Sequence, residues 1–131
     1  MRILLDTHAW LWMLGAPERL GPRASAAVID PANRLFLSAA SSWEIAIKYR
    51  LGRLALPSAP EDYVPERLRR TGVEGLPVQH RHALAVASLE LHHRDPFDRL
   101  LVAQARGEDM PILTADSAFD DYEVEVLAAG Q

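Results

Sequence analysis

The chain has 131 residues, 49% hydrophobic, 24% charged and 7% aromatic, a composition that excludes a mainly disordered, collagen-like or coiled-coil chain. Fourteen basic residues stand against 18 acidic ones, a net charge of −4, which argues against a general polyanion binder. No cysteine is present, so disulfides, thiolate zinc sites, iron–sulfur clusters and cysteine nucleophiles are excluded together.

In chain order, Ile3–Leu5 reads as a short buried strand. Trp10 to Leu14 reads as a helix ending at Gly15-Ala16-Pro17. Pro22 to Ile29 is a second short helix with proline in its first turn, and Leu35–Ser38 a second strand. From Ser42 to Leu51, Trp43, Ala46, Ile47 and Leu51 fall on one helical face, with Gly52 as the stop. Pro60 to Thr71 is helical, with Arg67, Arg69 and Arg70 in its last turns, where cations suit the dipole. Val73 to Val78 is a strand interrupted by Gly75 and Pro77, and Arg81 to Leu91 an alanine-rich helix. Asp95-Pro96-Phe97-Asp98 starts a helix whose buried stripe is Phe97, Leu100, Leu101 and Ala105, closed by Gly107. Pro111–Thr114 is a strand, Ser117–Tyr122 a short helix and Val124–Leu127 a last strand.

Strands alternating with helices predict an α/β fold with a mainly parallel sheet, as a single domain over 1–131 without internal repeat or linker. The apolar opening is broken by Asp6, so no signal-peptide core forms. No stretch reaches the ~18 apolar residues of a membrane span. The expectation is a soluble cytoplasmic protein.

The site of an open α/β sheet lies at the carboxyl ends of its strands. Asp6 directly follows the first strand, and Asp116 follows Pro111–Thr114 by one residue. Glu44 and Asp98 are each expected in the first turn of a helix returning from that same edge. Four segments thus deliver four acids to one rim. Clustered carboxylates repel and call for a cation, and hard oxygen donors without thiolates suit Mg²⁺ or Mn²⁺. Such a metal lowers the pKa of a bound water and clamps a phosphate.

Each acid also has a structural role to weigh. Asp6 can simply end its strand. Ser41-x-x-Glu44 has the form of a capping box. Asp95 reads as an N-cap with Pro96 at N1 and Asp98 at N3, and Asp116 can cap the helix near Ser117. Asp120 and Asp121 read as solvated surface. The histidine pairs His80/His82 and His92/His93 lack a third ligand at a zinc spacing. His8 is expected to pack or hydrogen-bond near the site, and Arg99 to face phosphate or pair with an acid. Thr7 and Thr114 can hold a carboxylate or satisfy backbone. Trp10, Trp12 and Met13 are core residues or, alternatively, an interface.

The blocks DTHAWLW at 6–12, SSWEIAIK at 41–48, HHRDPFDRLLVAQA at 92–105 and TADSAF at 114–119 together resemble the PIN-domain family, and within it the VapC-type toxins of bacterial toxin–antitoxin pairs. The resemblance implies a three-layer α/β/α sandwich and a metal-dependent endoribonuclease with Asp6, Glu44, Asp98 and Asp116 as its acidic quartet holding Mg²⁺ or Mn²⁺. It also implies an RNA substrate, a homodimer, and an antitoxin whose tail lies beside the site, with the helices around Trp10 and from Ser42 as candidate groove walls. The alternative is a PIN-like module that binds RNA or a partner without cutting. A receiver domain would need a late lysine, whereas the only lysine is Lys48. An aspartyl phosphatase would need a DxDx[TV] start, whereas the chain reads Asp6-Thr7-His8.

Overall fold

The computed structural model describes residues 1–90, 95–116, 119, 120, 122 and 124–130. In chain order these form β1 (Arg2–Leu5), α1 (Thr7–Gly15), α2 (Pro22–Ile29), β2 (Arg34–Ser38), α3 (Ala39–Arg50), α4 (Pro60–Thr71), β3 (Glu74–Leu76), α5 (His80–Ala85), α6 (Pro96–Glu108), β4 (Ile112–Thr114) and β5 (Val126–Ala128). The five strands make one parallel sheet in the order β3-β2-β1-β4-β5. The chain winds outward from β1 to β3, then returns to place β4 on the other side of β1. The gap between the carboxyl ends of β1 and β4 is therefore the point where strand order reverses, the crevice in which such sheets bind ligands.

Alternation along the strands loads both faces. Ile3, Leu5, Leu35, Leu37 and Leu113 pack with Trp10 of α1, Ala24 of α2, Ile45 of α3 and Tyr63 and Val64 of α4. Leu4, Phe36, Leu76 and Ile112 pack with Leu101, Val102 and Ala105 of α6 and with Phe119 and Tyr122. Helices thus cover both sides of the sheet, giving the expected three layers. Among the described residues no helix is long and apolar enough to cross a membrane.

Several boundaries differ from expectation. α3 begins at Ala39 rather than Ser42, because the Ser38 side chain accepts from the Ala40 N–H and caps it. Ser41 is therefore inside the helix, and the Ser41–Glu44 capping box does not form. The face is also reversed: Ala40, Ser41, Glu44 and Ile45 are buried, while Trp43 is 61% exposed and Leu51 59%. α5 stops at Ala85 and tightens into a 3-10 turn over Val86–Ser88, well short of Leu91. α6 runs past Gly107 to Glu108, and Asp109 takes the left-handed conformation at its end. Gly72 does the same after α4 with φ 73°, a conformation that favours glycine. The expected Ser117–Tyr122 helix lies largely outside the described residues, as do His92 and His93.

Candidate active site

Asp6 follows β1 immediately and is the N-cap of α1. Its Oδ1 accepts from the Ala9 N–H at 2.7 Å, and its Oδ2 accepts from the Thr114 hydroxyl. The same Thr114 oxygen accepts from the Asp116 N–H at 3.0 Å. Thr114 thus joins the ends of β1 and β4 and fixes Asp6 beside Asp116. Asp6 is 4% exposed; burial pushes its carboxyl above the usual range, against the Thr114 and Ala9 hydrogen bonds, with the Asp116 charge adding to the rise.

Glu44 lies in the second turn of α3, not the first, and is 4% exposed. Thr7 Oγ1 is 2.7 Å from its Oε1 and 2.9 Å from Ser41 Oγ. One hydroxyl carries one proton, so Thr7 donates to the carboxylate and accepts from Ser41. Glu44 Oε2 accepts from Lys48 Nζ at 2.6 Å. Lys48 was not singled out for the site from sequence, although the i, i+4 spacing is itself the signal for such a pair.

Asp98 occupies the first turn of α6 as expected. Asp95 caps that helix, accepting from the Phe97 and Asp98 N–H groups at 2.9 and 3.1 Å. The Asp98 carboxyl is pushed up to about 7, first by burial and then by the charges of Asp95, Glu44, Asp116 and Asp6. Asp98 thus feels the charges of Asp6, Glu44 and Asp116.

The donors fit a hard divalent cation in type, since all four are carboxylates, oxygen ligands of the kind Mg²⁺ and Mn²⁺ take. As they stand, no three His, Cys, Asp or Glu side chains among the described residues are gathered tightly enough to hold a metal ion. Glu44 Oε2 is held by Lys48 Nζ.

The upward shift of Asp98 has a pH signature. The folded-state pKa of Asp98, about 7, lies above its ordinary 3.8, so the folded chain binds this proton more tightly than the unfolded chain. The resulting stability is present below about pH 4 and is lost as pH rises through about 7. In chelator, the melting temperature of the wild type should fall more between about pH 5.5 and 8 than that of Asp98→Asn. Parallel profiles would show that neither burial nor the neighbouring acids hold the Asp98 carboxyl above its ordinary range.

The remaining candidates fall elsewhere. His8 is exposed and near enough to Asp6 to oppose part of the rise of that carboxyl. Arg99 donates to the Glu90 and Val86 carbonyls and to the Tyr122 hydroxyl, tying α6 to the preceding turn. His82 is buried and takes the Gln79 N–H on Nδ1, with Nε2 3.1 Å from Glu108. Trp10 is fully buried core, not interface. Trp12 and Met13 are half-buried, with the Arg19 guanidinium over the Trp12 ring.

A parallel α/β/α sandwich with Asp6 and Asp116 at its strand-order reversal belongs to the class of α/β domains that bind ligands at that crevice. The PIN domain model matches residues 3–125, and the chain belongs to that family. It is similar to Ribonuclease VapC16 of Mycobacterium tuberculosis, 54% identical over 57 residues, which are 44% of this chain and 40% of that protein. Less than half of that relative's length is spanned. Among solved structures it resembles VapBC2 from Rickettsia felis bound to a promoter DNA fragment, with TM-score 0.72, 13% identity, and 97% of this chain and 98% of that one covered. FitAcB from Neisseria gonorrhoeae has TM-score 0.61 and 24% identity over 96% of each chain. A toxin–antitoxin complex from Klebsiella pneumoniae has TM-score 0.61 and 13% identity, again over 96% of each. At these identities the structural likenesses establish the fold.

Proposed function

We propose that this chain is a Mg²⁺- or Mn²⁺-dependent endoribonuclease, the toxin of a toxin–antitoxin pair, acting through Asp6, Glu44, Asp98 and Asp116. The observation that carries the reading is geometric: the Thr114 hydroxyl joins Asp6, directly after β1, to the N–H of Asp116, just after β4, at the point where strand order reverses; the upward shift of Asp98 by burial and by the neighbouring acids agrees with it. The ribonuclease name of the partial relative and the toxin–antitoxin complex among the structural neighbours agree with it. A homodimer and a cognate antitoxin partner belong to the same reading.

When bound, the cation supplies a water of lowered pKa and a counter-charge for the phosphate. The chain's own residues aim the donors. Thr114 and the Ala9 N–H orient both oxygens of Asp6. Thr7 holds one oxygen of Glu44 and Lys48 the other. Asp95 secures the helix start that carries Asp98. Hydrolysis would form a bond between a water oxygen and phosphorus and break the bond from phosphorus to the leaving oxygen, with a carboxylate of the quartet taking a proton from the water and the leaving oxygen taking one up in turn, and with no covalent enzyme intermediate.

Purified protein should cut single-stranded RNA in Mg²⁺ or Mn²⁺, stop when EDTA is added and resume when the metal is restored. Undiminished cleavage after thorough chelation would overturn the metal mechanism. RNA binding without cleavage in either metal would establish the non-catalytic alternative.

A further inference from the structure

The apolar residues of α3 that the sequence assigns to the core face outward, and Trp43 is the most exposed of the three tryptophans. Its ring is not loose. It meets Phe97 edge-to-face, with ring centroids 5.1 Å apart and planes at 70°. Trp43 precedes Glu44 on α3, and Phe97 precedes Asp98 on α6. The aromatic pair therefore ties together the two helices that carry these acids, one residue away from each. An edge-to-face contact occupies a face of only one ring, and at 61% exposure Trp43 retains open π surface. Arg50, exposed, lies seven residues further on, two turns along the same helix face.

We propose that Trp43 is a stacking platform for one base of single-stranded RNA next to the scissile phosphate, with Arg50 drawing the adjoining backbone; this rests on the ribonuclease reading. An acidic site in a chain of net charge −4 needs attraction that is not electrostatic to hold a polyanion. Aromatic stacking supplies it for any base, because every base has a π face. The position is continuous with the acids, so a strand whose phosphate reaches Asp98 brings its neighbouring base to this ring. Phe97 holds the indole in place, so little side-chain freedom is lost when a base arrives.

The test is a double-mutant cycle on cleavage of short RNA oligonucleotides, each carrying one abasic nucleotide at a different position around the cut. In the wild type, one abasic position flanking the cut should lower kcat/KM by about ten- to a hundredfold. Trp43→Ala should lose the same factor on intact RNA and become indifferent to that abasic position. Trp43→Phe should retain most of the rate, and unchanged melting curves should show that both variants fold. Additive effects of Trp43→Ala and every abasic position would overturn the stacking role while leaving the nuclease intact. A Trp43→Ala protein that cuts normally but loses a protein partner would assign this face to that partner instead. A wild type that cuts none of the oligonucleotides in Mg²⁺ or Mn²⁺ would overturn the ribonuclease reading and this proposal with it.

Discussion

Replacing Glu44 by Gln should lower RNA cleavage by roughly 10²–10⁴-fold, the range for losing a group that activates water, with little change in stability. The amide oxygen introduced by Glu44→Gln can still accept from Thr7, so the buried hydroxyl keeps a partner. What disappears is the ion pair with Lys48, whose side chain is 37% exposed; such a pair contributes about 0–1 kcal/mol. Relief of repulsion toward Asp98 offsets part of that. Thermal melting should thus stay within about 1 kcal/mol of wild type while single-turnover cleavage collapses. A cleavage rate near wild type would reduce Glu44 to the anchor of Thr7 and Lys48. Ser41, expected from sequence to cap this helix, instead continues the hydrogen-bonded run through Thr7 to Glu44, so Ser41→Ala disturbs the site rather than a helix end.

Trp10→Ala should cost about 3–5 kcal/mol, as large-to-small changes in cores do, against a total stability of about 5–15 kcal/mol. The side chain is fully buried and packs in the cluster that joins β1, β2 and β4 to α1, α2 and α4. Its indole N–H has no hydrogen-bond partner among the described residues, so Trp10→Phe, which removes that group and keeps an aromatic ring, should cost clearly less. Urea unfolding of the two variants measures the difference. A Trp10→Ala protein within about 1 kcal/mol of wild type would contradict its place in the core.

The elements with strong local punctuation were legible in the sequence. α2 and α4 have the predicted bounds because proline fixes each N1, and Gly72 supplies the left-handed turn that ends α4. The positions of Asp6, directly after β1, and Asp98, in the first turn of α6, were legible from the element ends, whereas Glu44 lies a turn further into α3 than expected. α3 was misread because periodicity locates an apolar stripe and cannot say which side meets the protein. Its inward side carries Ser41 and Glu44, buried polar residues that Thr7 and Lys48 satisfy, partners that no local pattern reveals. The contacts that aim the acids were not legible either. Thr114 reaches Asp6 across 108 residues of sequence and Thr7 reaches Glu44 across 37, pairings that exist only once the sheet has assembled.

The central claim is that Asp6, Glu44, Asp98 and Asp116 form one hard-cation site. A calorimetric titration of Mn²⁺ into the chelator-stripped protein and into Glu44→Gln and Asp98→Asn tests it without reference to any substrate. The expected result is saturable binding to the wild type, markedly weakened in both variants, with a rise in melting temperature that follows occupancy because the ligand binds only the folded state. Wild-type Mn²⁺ affinity in both variants, or no saturable binding to the folded wild type, would contradict it.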